Sequence, residues 1–210
     1  MTAPATPIRL HRFALSGHAH RVELFLSLLG LPFERIDVDL AKGAHKAPAF
    51  LAKNPFGQVP VIEDGQVTLA DSNAILTYLA AKYGGETWLP RDPVGAAQVQ
   101  RWLSVAAGPL AFGPAAARLI ALFKAPYNQA EVVARAHALF AVIETELARA
   151  PFITGGTPTI ADVALYSYTA HAPEGGVSLA AYLKLREWLT RIEQLPGFVP
   201  MVASPLPAAA

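Results

Sequence analysis

Residues Ile8 to Phe13 alternate apolar and polar side chains, the two-residue period of a half-buried strand. After Ser16-Gly17 the period lengthens, and Val22, Leu24, Phe25, Leu28 and Leu29 mark the apolar face of an amphipathic helix. Gly30 falls where a helix C-cap belongs, and Pro32 blocks further helix. Phe33 to Val38 predicts a second strand, and a loop with a short helix around Pro48 to Lys53 follows. Val59 to Glu63 and Val67 to Ala70 predict two strands joined at Asp64-Gly65-Gln66, a strong hairpin signal. Ser72 to Lys82 is helical in period, and Gly84-Gly85 ends it. Beyond Pro90 and Pro93 every segment has a helical period: Val94 to Phe123 as one long or kinked pair, Asn128 to Arg149, Thr159 to Tyr168 and Leu179 to Glu193. Thr159-Ile160-Ala161-Asp162 has capping-box spacing, with Asp in place of Glu or Gln, and predicts the start of a core helix. The tail from Pro196 to Ala210 is rich in Pro and Ala, and its end is expected to be poorly ordered.

The order β-α-β-α-β-β-α, followed by helices alone, fits an α/β thioredoxin-like domain over residues 1–84. A linker over 85–93 and an all-α helical bundle over 94–210 complete the expected organisation. At 210 residues and 53% hydrophobic, the chain can bury one large core or two small ones. A formal charge of +1, with charges dispersed, gives no reason to expect nucleic acid or an acidic membrane as partner. The absence of cysteine excludes disulfides, zinc–thiolate sites, a cysteine nucleophile and thiol–disulfide exchange by the protein itself. Met1 to Phe13 lacks the uninterrupted apolar core of a signal peptide. Trp102 to Phe123 is the most apolar stretch, but Gly108-Pro109 and Gly113-Pro114 break it, which suits a buried, kinked helix. The chain reads as soluble and cytoplasmic.

Candidate chemistry gathers in two motifs. Asn54-Pro55-Phe56-Gly57-Gln58-Val59-Pro60-Val61-Ile62 runs from a Gly turn into a short strand with proline near its start. An X-Pro bond such as Val59-Pro60 can be cis, which would turn Val59 outward and offer its N–H and C=O to an extended ligand. Asp71-Ser72 then opens a helix whose bare N–H groups and serine hydroxyl can hold a carboxylate. Together these form a peptide-backbone clamp beside an anion site. Ser16 stands at the start of the first helix, as an N-cap or as a hydroxyl donor. His18 and His20 read as surface residues with no partner at metal-ligand spacing, so no metal site is expected. His45-Lys46 is a solvated loop pair or a rim for a carboxylate.

Gly57-Gln58-Val59-Pro60, Asp71-Ser72-Asn73-Ala74-Ile75 and Thr157-Pro158-Thr159-Ile160-Ala161-Asp162, in that order, resemble the motifs of the cytosolic glutathione transferases. The resemblance covers nearly the whole chain and is closest to bacterial members and to the serine-type theta, phi and zeta classes. It implies a detoxifying homodimer that binds reduced glutathione as co-substrate, ionises its thiol and conjugates it to a small, mostly apolar electrophile. It implies that Ser16 donates a hydrogen bond to the sulfur, with His18 as an alternative donor. It further implies that Val59 clamps the cysteinyl backbone and that Ser72 binds the γ-glutamyl carboxylate. Asp71 would face the γ-glutamyl ammonium, one methylene shorter than the usual acid. His45, Lys46 and Gln58 would meet the glycine end, with Pro60 shaping the clamp. Phe13, Phe112, Arg118 and Tyr168 are candidates for the electrophile pocket or for core. Arg118 either meets an anionic substrate or pairs with Glu174 or solvent, and Trp102 and Trp188 read as core. Isomerase, dehalogenase or peroxidase chemistry would use the same site, and a non-catalytic interaction module would share the fold.

Overall fold

In the computed structural model, which describes residues 3–205, the alternating segments pair into one four-stranded sheet. Its strands are β1 (Ile8–Arg12), β2 (Phe33–Asp37), β3 (Val61–Asp64) and β4 (Val67–Ala70), in the order β2-β1-β3-β4. β1 and β2 run parallel, so a crossover must join them, and helix α1 (Gly17–Leu28) does so. The other neighbours are antiparallel, with Leu10 opposite Ile62 and Ile62 opposite Leu69. Alternation sends Ile8, Leu10 and Ile62 into the main core beneath α1 and α3 (Ser72–Leu79). Val61 points the other way, into a small second core with Val38 and with Phe50 of α2 (Pro48–Leu51). This is a thioredoxin-like domain. Strand β3 starts two residues later than its sequence pattern predicts, because Val59 and Pro60 stay outside the ladder.

The second half is helical: α4 (Pro93–Ala107), α5 (Ala116–Phe123), α6 (Gln129–Leu147), α7 (Ile160–Ala170) and α8 (Leu183–Glu193). Between α4 and α5 lies a π-helical stretch, Ala111–Ala115, with Pro114 inside it. Proline has no N–H for the regular ladder, so the long apolar segment bends there. Pro93–Phe123 is long and apolar enough to cross a membrane by length and composition alone, and 44% of its most apolar window is buried. Helix α7 is buried from Ile160 to Thr169 and starts at the capping box that its spacing predicts. The Asp162 carboxylate accepts from Thr159 N (2.9 Å), Ile153 N (2.9 Å) and Trp188 Nε1 (2.9 Å). Trp102 and Trp188 are both core residues.

Helix α1 is squeezed between the sheet and α7, so Ala19 to Leu26 are all buried. His20, expected at the surface, is therefore an interior residue. Its Nε2 lies 2.9 Å from the Val199 carbonyl, which can only accept, so Nε2 carries the proton and Nδ1 accepts from Ser167 Oγ at 2.8 Å. Val199 belongs to a C-terminal strap that crosses α1. Ser27 Oγ donates to Gly197 O (2.6 Å), Phe198 packs edge-on against Tyr166, and Met201 is buried. The expectation of a poorly ordered end falls on residues 206–210, which lie outside the described residues. The segment between the two halves is also docked: Trp88 packs edge-on against Phe25, and its carbonyl accepts from Ile160 N.

Candidate active site

A cleft of about 1080 Å³ opens where the N-terminal ends of α1 and α3 face the helical half. It gathers Ser16, His18, His45, Lys46, Gln58, Val59, Pro60, Asp71 and Ser72, residues spread over four separate stretches of the sequence.

Ser16 is the N-cap of α1, with extended backbone (φ −87°, ψ 113°), and its Oγ accepts from Ala19 N at 3.2 Å. Capping uses a lone pair, so the hydroxyl hydrogen stays free to donate into the cleft. The cap and the sulfur donor, posed as alternatives by the sequence, are compatible in one geometry. Gly17 follows, and a Cβ there would lie 2.8 Å from ring carbons of Tyr168. The missing side chain lets the buried Tyr168 ring of α7 close onto the first turn of α1. His18 stacks edge-on against the same ring, 5.0 Å between centroids, with Nδ1 3.5 Å from Ser72 Oγ. It is half-buried, not the surface residue that its sequence position suggests. Burial, and after it the Arg21 charge, pulls its pKa down to about 3, so the imidazole is neutral at physiological pH.

Val59-Pro60 is cis, and no hydrogen bond among the described residues uses the Val59 N–H or C=O. Asp71 caps α3: its Oδ1 accepts from Asn73 N and Ala74 N, each at 2.9 Å. Those two amides are thus already satisfied. What α3 presents to the cleft is Ser72, through its own N–H and its hydroxyl. Asp71 stands at φ 71°, ψ 122°, a conformation that L-residues rarely adopt and that concentrates at functional sites.

Arg21, which sequence reasoning missed, lies fully buried behind Ser72. Its Nη1 donates to Ser72 Oγ (3.3 Å) and Asn73 Oδ1 (2.9 Å), while Nε and Nη2 have no partner among the described residues. Burial pulls this guanidinium down to about 10, still protonated at neutral pH. A cation beneath two helix N-termini makes this end of the cleft strongly anion-seeking. The only trace in the sequence is a charged residue beside the apolar positions of α1.

At the opposite end, Lys46 Nζ donates to the carbonyls of Phe56 and Gly57, each at 3.3 Å. His45 Nδ1 is buried without a partner among the described residues, and Gln58 is exposed at the rim. Gly57, at φ 58°, has His45 O and Lys46 Nζ each 2.8 Å from where a Cβ would be. The remaining wall is apolar: Phe13, Leu15, Ala111, Ala115, Leu119 and Phe123, with Tyr168 and Arg118. Phe112 is not part of it and lines a separate apolar groove between α4 and α6. Arg118 is buried and paired with Glu174 (Nε to Oε2, 2.5 Å), with further bonds to Leu15 O and Ser204 Oγ. Each of its three nitrogens thus has a partner, and the pairing with Glu174 that the sequence offered is present.

A thioredoxin-like half presenting a polar, peptide-sized cleft to a helical half defines the two-domain transferase class. Residues 7–81 match the family model described as glutathione S-transferase, N-terminal domain, and residues 114–191 the C-terminal domain model. Glutathione S-transferase 3 of Zea mays is 37% identical over 96% of both chains. A glutathione S-transferase structure from Pseudomonas fluorescens superimposes with a TM-score of 0.88 at 34% identity, covering 94% of this chain and 100% of that one. A glutathione transferase homologue from Drosophila mojavensis, with bound glutathione, has a TM-score of 0.81 at 30% identity, covering 90% and 89%. The chain belongs to the glutathione S-transferase family and is an enzyme of that family.

Proposed function

We propose that the enzyme binds reduced glutathione in this cleft, stabilises its thiolate through Ser16 and transfers it to a small, mostly apolar electrophile. The observation that carries this reading is the Ser16 hydroxyl, held by Ala19 N at a helix N-terminus with its hydrogen free toward the cleft. Only the thiolate attacks. A hydroxyl donor and the positive end of α1 both favour it. The thiol proton leaves to solvent, and the thiolate attacks the electrophilic carbon. The C–S bond forms as the leaving group departs with its electron pair, and no covalent enzyme intermediate arises.

The open backbone of Val59 suits the cysteinyl unit. Ser72, backed by Arg21, suits the γ-glutamyl carboxylate, and the second oxygen of Asp71 suits the neighbouring ammonium. His45, Lys46 and Gln58 suit the glycine carboxylate, and Pro60 shapes the clamp. His18, neutral and beside Ser72, serves the γ-glutamyl end in this reading. The apolar wall, with Arg118 already paired, favours uncharged electrophiles in the role of detoxification substrates.

Two further features belong to the reading. Phe56 is 78% exposed on the Asn54–Gln58 loop, and the groove of Trp102, Val105, Pro109, Phe112, Leu139 and Val142 is mainly apolar, with Arg101 and Arg135 also lining it. A two-fold homodimer would seat each Phe56 in the partner's groove. A co-substrate that must stay reduced places the enzyme in the cytoplasm. The test is an ultraviolet titration of bound glutathione in the wild type and in Ser16→Ala. A bound pKa well below that of a free thiol, rising by about one unit or more in the variant, supports the reading. Binding with an unshifted pKa refutes it.

A further inference from the structure

Ser16 sits in a turn that owes its shape to the other domain. Ser16 N donates to Phe13 O (2.9 Å), closing the turn, and Ser16 Oγ accepts from Ala19 N. The carbonyl between these two bonds, that of Leu15, accepts from Arg118 Nη1 at 2.6 Å. Arg118 lies on α5, 103 positions away, and is 2% exposed. We propose that Arg118 is the positioning residue for Ser16: by fixing the Leu15–Ser16 peptide it sets where the Ser16 hydroxyl points into the cleft.

The surroundings of Arg118 are built to hold it still. Glu174 Oε2 takes Nε at 2.5 Å, and Ser204 Oγ takes Nη2 at 3.1 Å. The other Glu174 oxygen accepts from Ser204 N (3.0 Å) and from His171 Nδ1 (2.6 Å). Gly175 allows this approach, since a Cβ there would lie 2.6 Å from Arg118 N, and Gln129 Nε2 ties down its carbonyl at 3.2 Å. A guanidinium with partners on all three nitrogens is held in place against the Leu15 carbonyl. Burying such a pair is a poor way to gain stability, because desolvation offsets most of the attraction. A planar fork that must meet a carboxylate, a carbonyl and a hydroxyl at once is a good way to fix a position. Through Ser204, the same fork also ties the C-terminal strap to the active-site turn.

The inference rests on Ser16 being the sulfur donor, and the experiment separates the two. Bound-thiol titrations and steady-state kinetics are run on the wild type, Ser16→Ala, Arg118→Lys and Ser16→Ala/Arg118→Lys. Lysine keeps a cation for Glu174 but cannot span the three partners. Arg118→Lys is expected to raise the bound thiol pKa by roughly one unit and to lower kcat severalfold with a smaller change in the KM for glutathione. In the Ser16→Ala background the same substitution is expected to move the pKa by less than about 0.3 of a unit, since the residue acts only through Ser16. If Arg118→Lys does not fold, Arg118→Gln/Glu174→Gln removes both charges together and is held to the same two results. An unmoved pKa in Arg118→Lys, or an equal shift with and without Ser16, overturns the inference while leaving the Ser16 reading standing. An unmoved pKa in Ser16→Ala alone overturns both.

Discussion

Ser16→Ala removes a helix cap and, if the proposed function holds, a sulfur donor in one step, and the two losses have different signatures. The cap bond to Ala19 N is long at 3.2 Å, so its loss is placed at about 1 kcal/mol. For a chain of 210 residues the unfolding entropy is about 0.4 kcal/mol/K, which makes the expected fall in Tm about 2 °C. The donor is worth about 2 kcal/mol to an anionic sulfur, or about 1.5 pKa units. A free cysteinyl thiol titrates near about 8.5, so the bound thiol is expected near about 7 in the wild type. At pH 6.5 the thiolate fraction would then fall from about a quarter to about a hundredth in the variant. The less stabilised thiolate is also the better nucleophile, by about fivefold on a Brønsted slope near 0.45. The net loss in rate at saturating glutathione is therefore about fivefold at pH 6.5. By pH 9 both thiols are largely ionised, and the variant should equal or exceed the wild type. The assay is a pH series of initial rates with one uncharged electrophile whose chemical step limits turnover. A loss of the same size at both ends of the series would refute the thiolate argument and leave Ser16 as a cap.

Asp162→Ala is expected to cost about 3–5 kcal/mol by urea unfolding, because it orphans the buried donors Ile153 N, Thr159 N and Trp188 Nε1 at the start of α7. Gly57→Ala meets a positive φ and the His45 carbonyl at 2.8 Å, so a stability loss of about 1–2 kcal/mol is expected. In the same variant the KM for glutathione should rise at least about threefold with kcat little changed, since Lys46 is displaced with the loop. Burial lowers the pKa of His20 to about 4, against 6.5 in the unfolded chain. The unfolded chain thus takes up protons first, and stability present above pH 6.5 is lost as the pH falls toward 4. Unfolding midpoints across that window should show a loss approaching about 3 kcal/mol from this group, with His18 adding in the same direction, and His20→Asn should flatten the slope.

The elements that repeat a period of 2 or 3.6 were legible because the period and the turn or cap that bounds it are local features. Strands β1 and β4, helices α6 and α7, the hairpin at Gly65 and the box at Thr159 all follow from local pattern. Helix α1 shows where that reasoning stops. Its apolar positions mark one face, but the sheet covers one side and α7 the other, so His20, Arg21 and Glu23 are enclosed as well. A one-sided pattern carries no sign of burial on the second side. The C-terminal strap was illegible for a related reason. Proline and alanine give no sign of docking, whereas its anchors are His20, Ser27, Arg118 and Glu174, distant in sequence and supplied only by the fold. For Arg118 the pairing with Glu174 was among the alternatives the sequence offered, whereas the bond to Leu15 O was not.

The site motifs were legible for the opposite reason, since each is a local backbone device. A helix N-terminus has amides to satisfy and a partial positive charge to share, whatever packs around it. A serine placed there accepts from the helix and still holds a proton to give. Accepting an amide polarises the hydroxyl, and the proton then points away from the helix, where an anion at the N-terminus would lie. Threonine meets both demands. Aspartate meets only the first and would repel the thiolate, and alanine meets neither. Ser16→Asp should therefore hold the Tm near that of the wild type while lowering the neutral-pH rate more than Ser16→Ala does, and Ser16→Thr should preserve both. If rate and Tm instead fall together across the three variants, the hydroxyl acts on the fold and not on the sulfur.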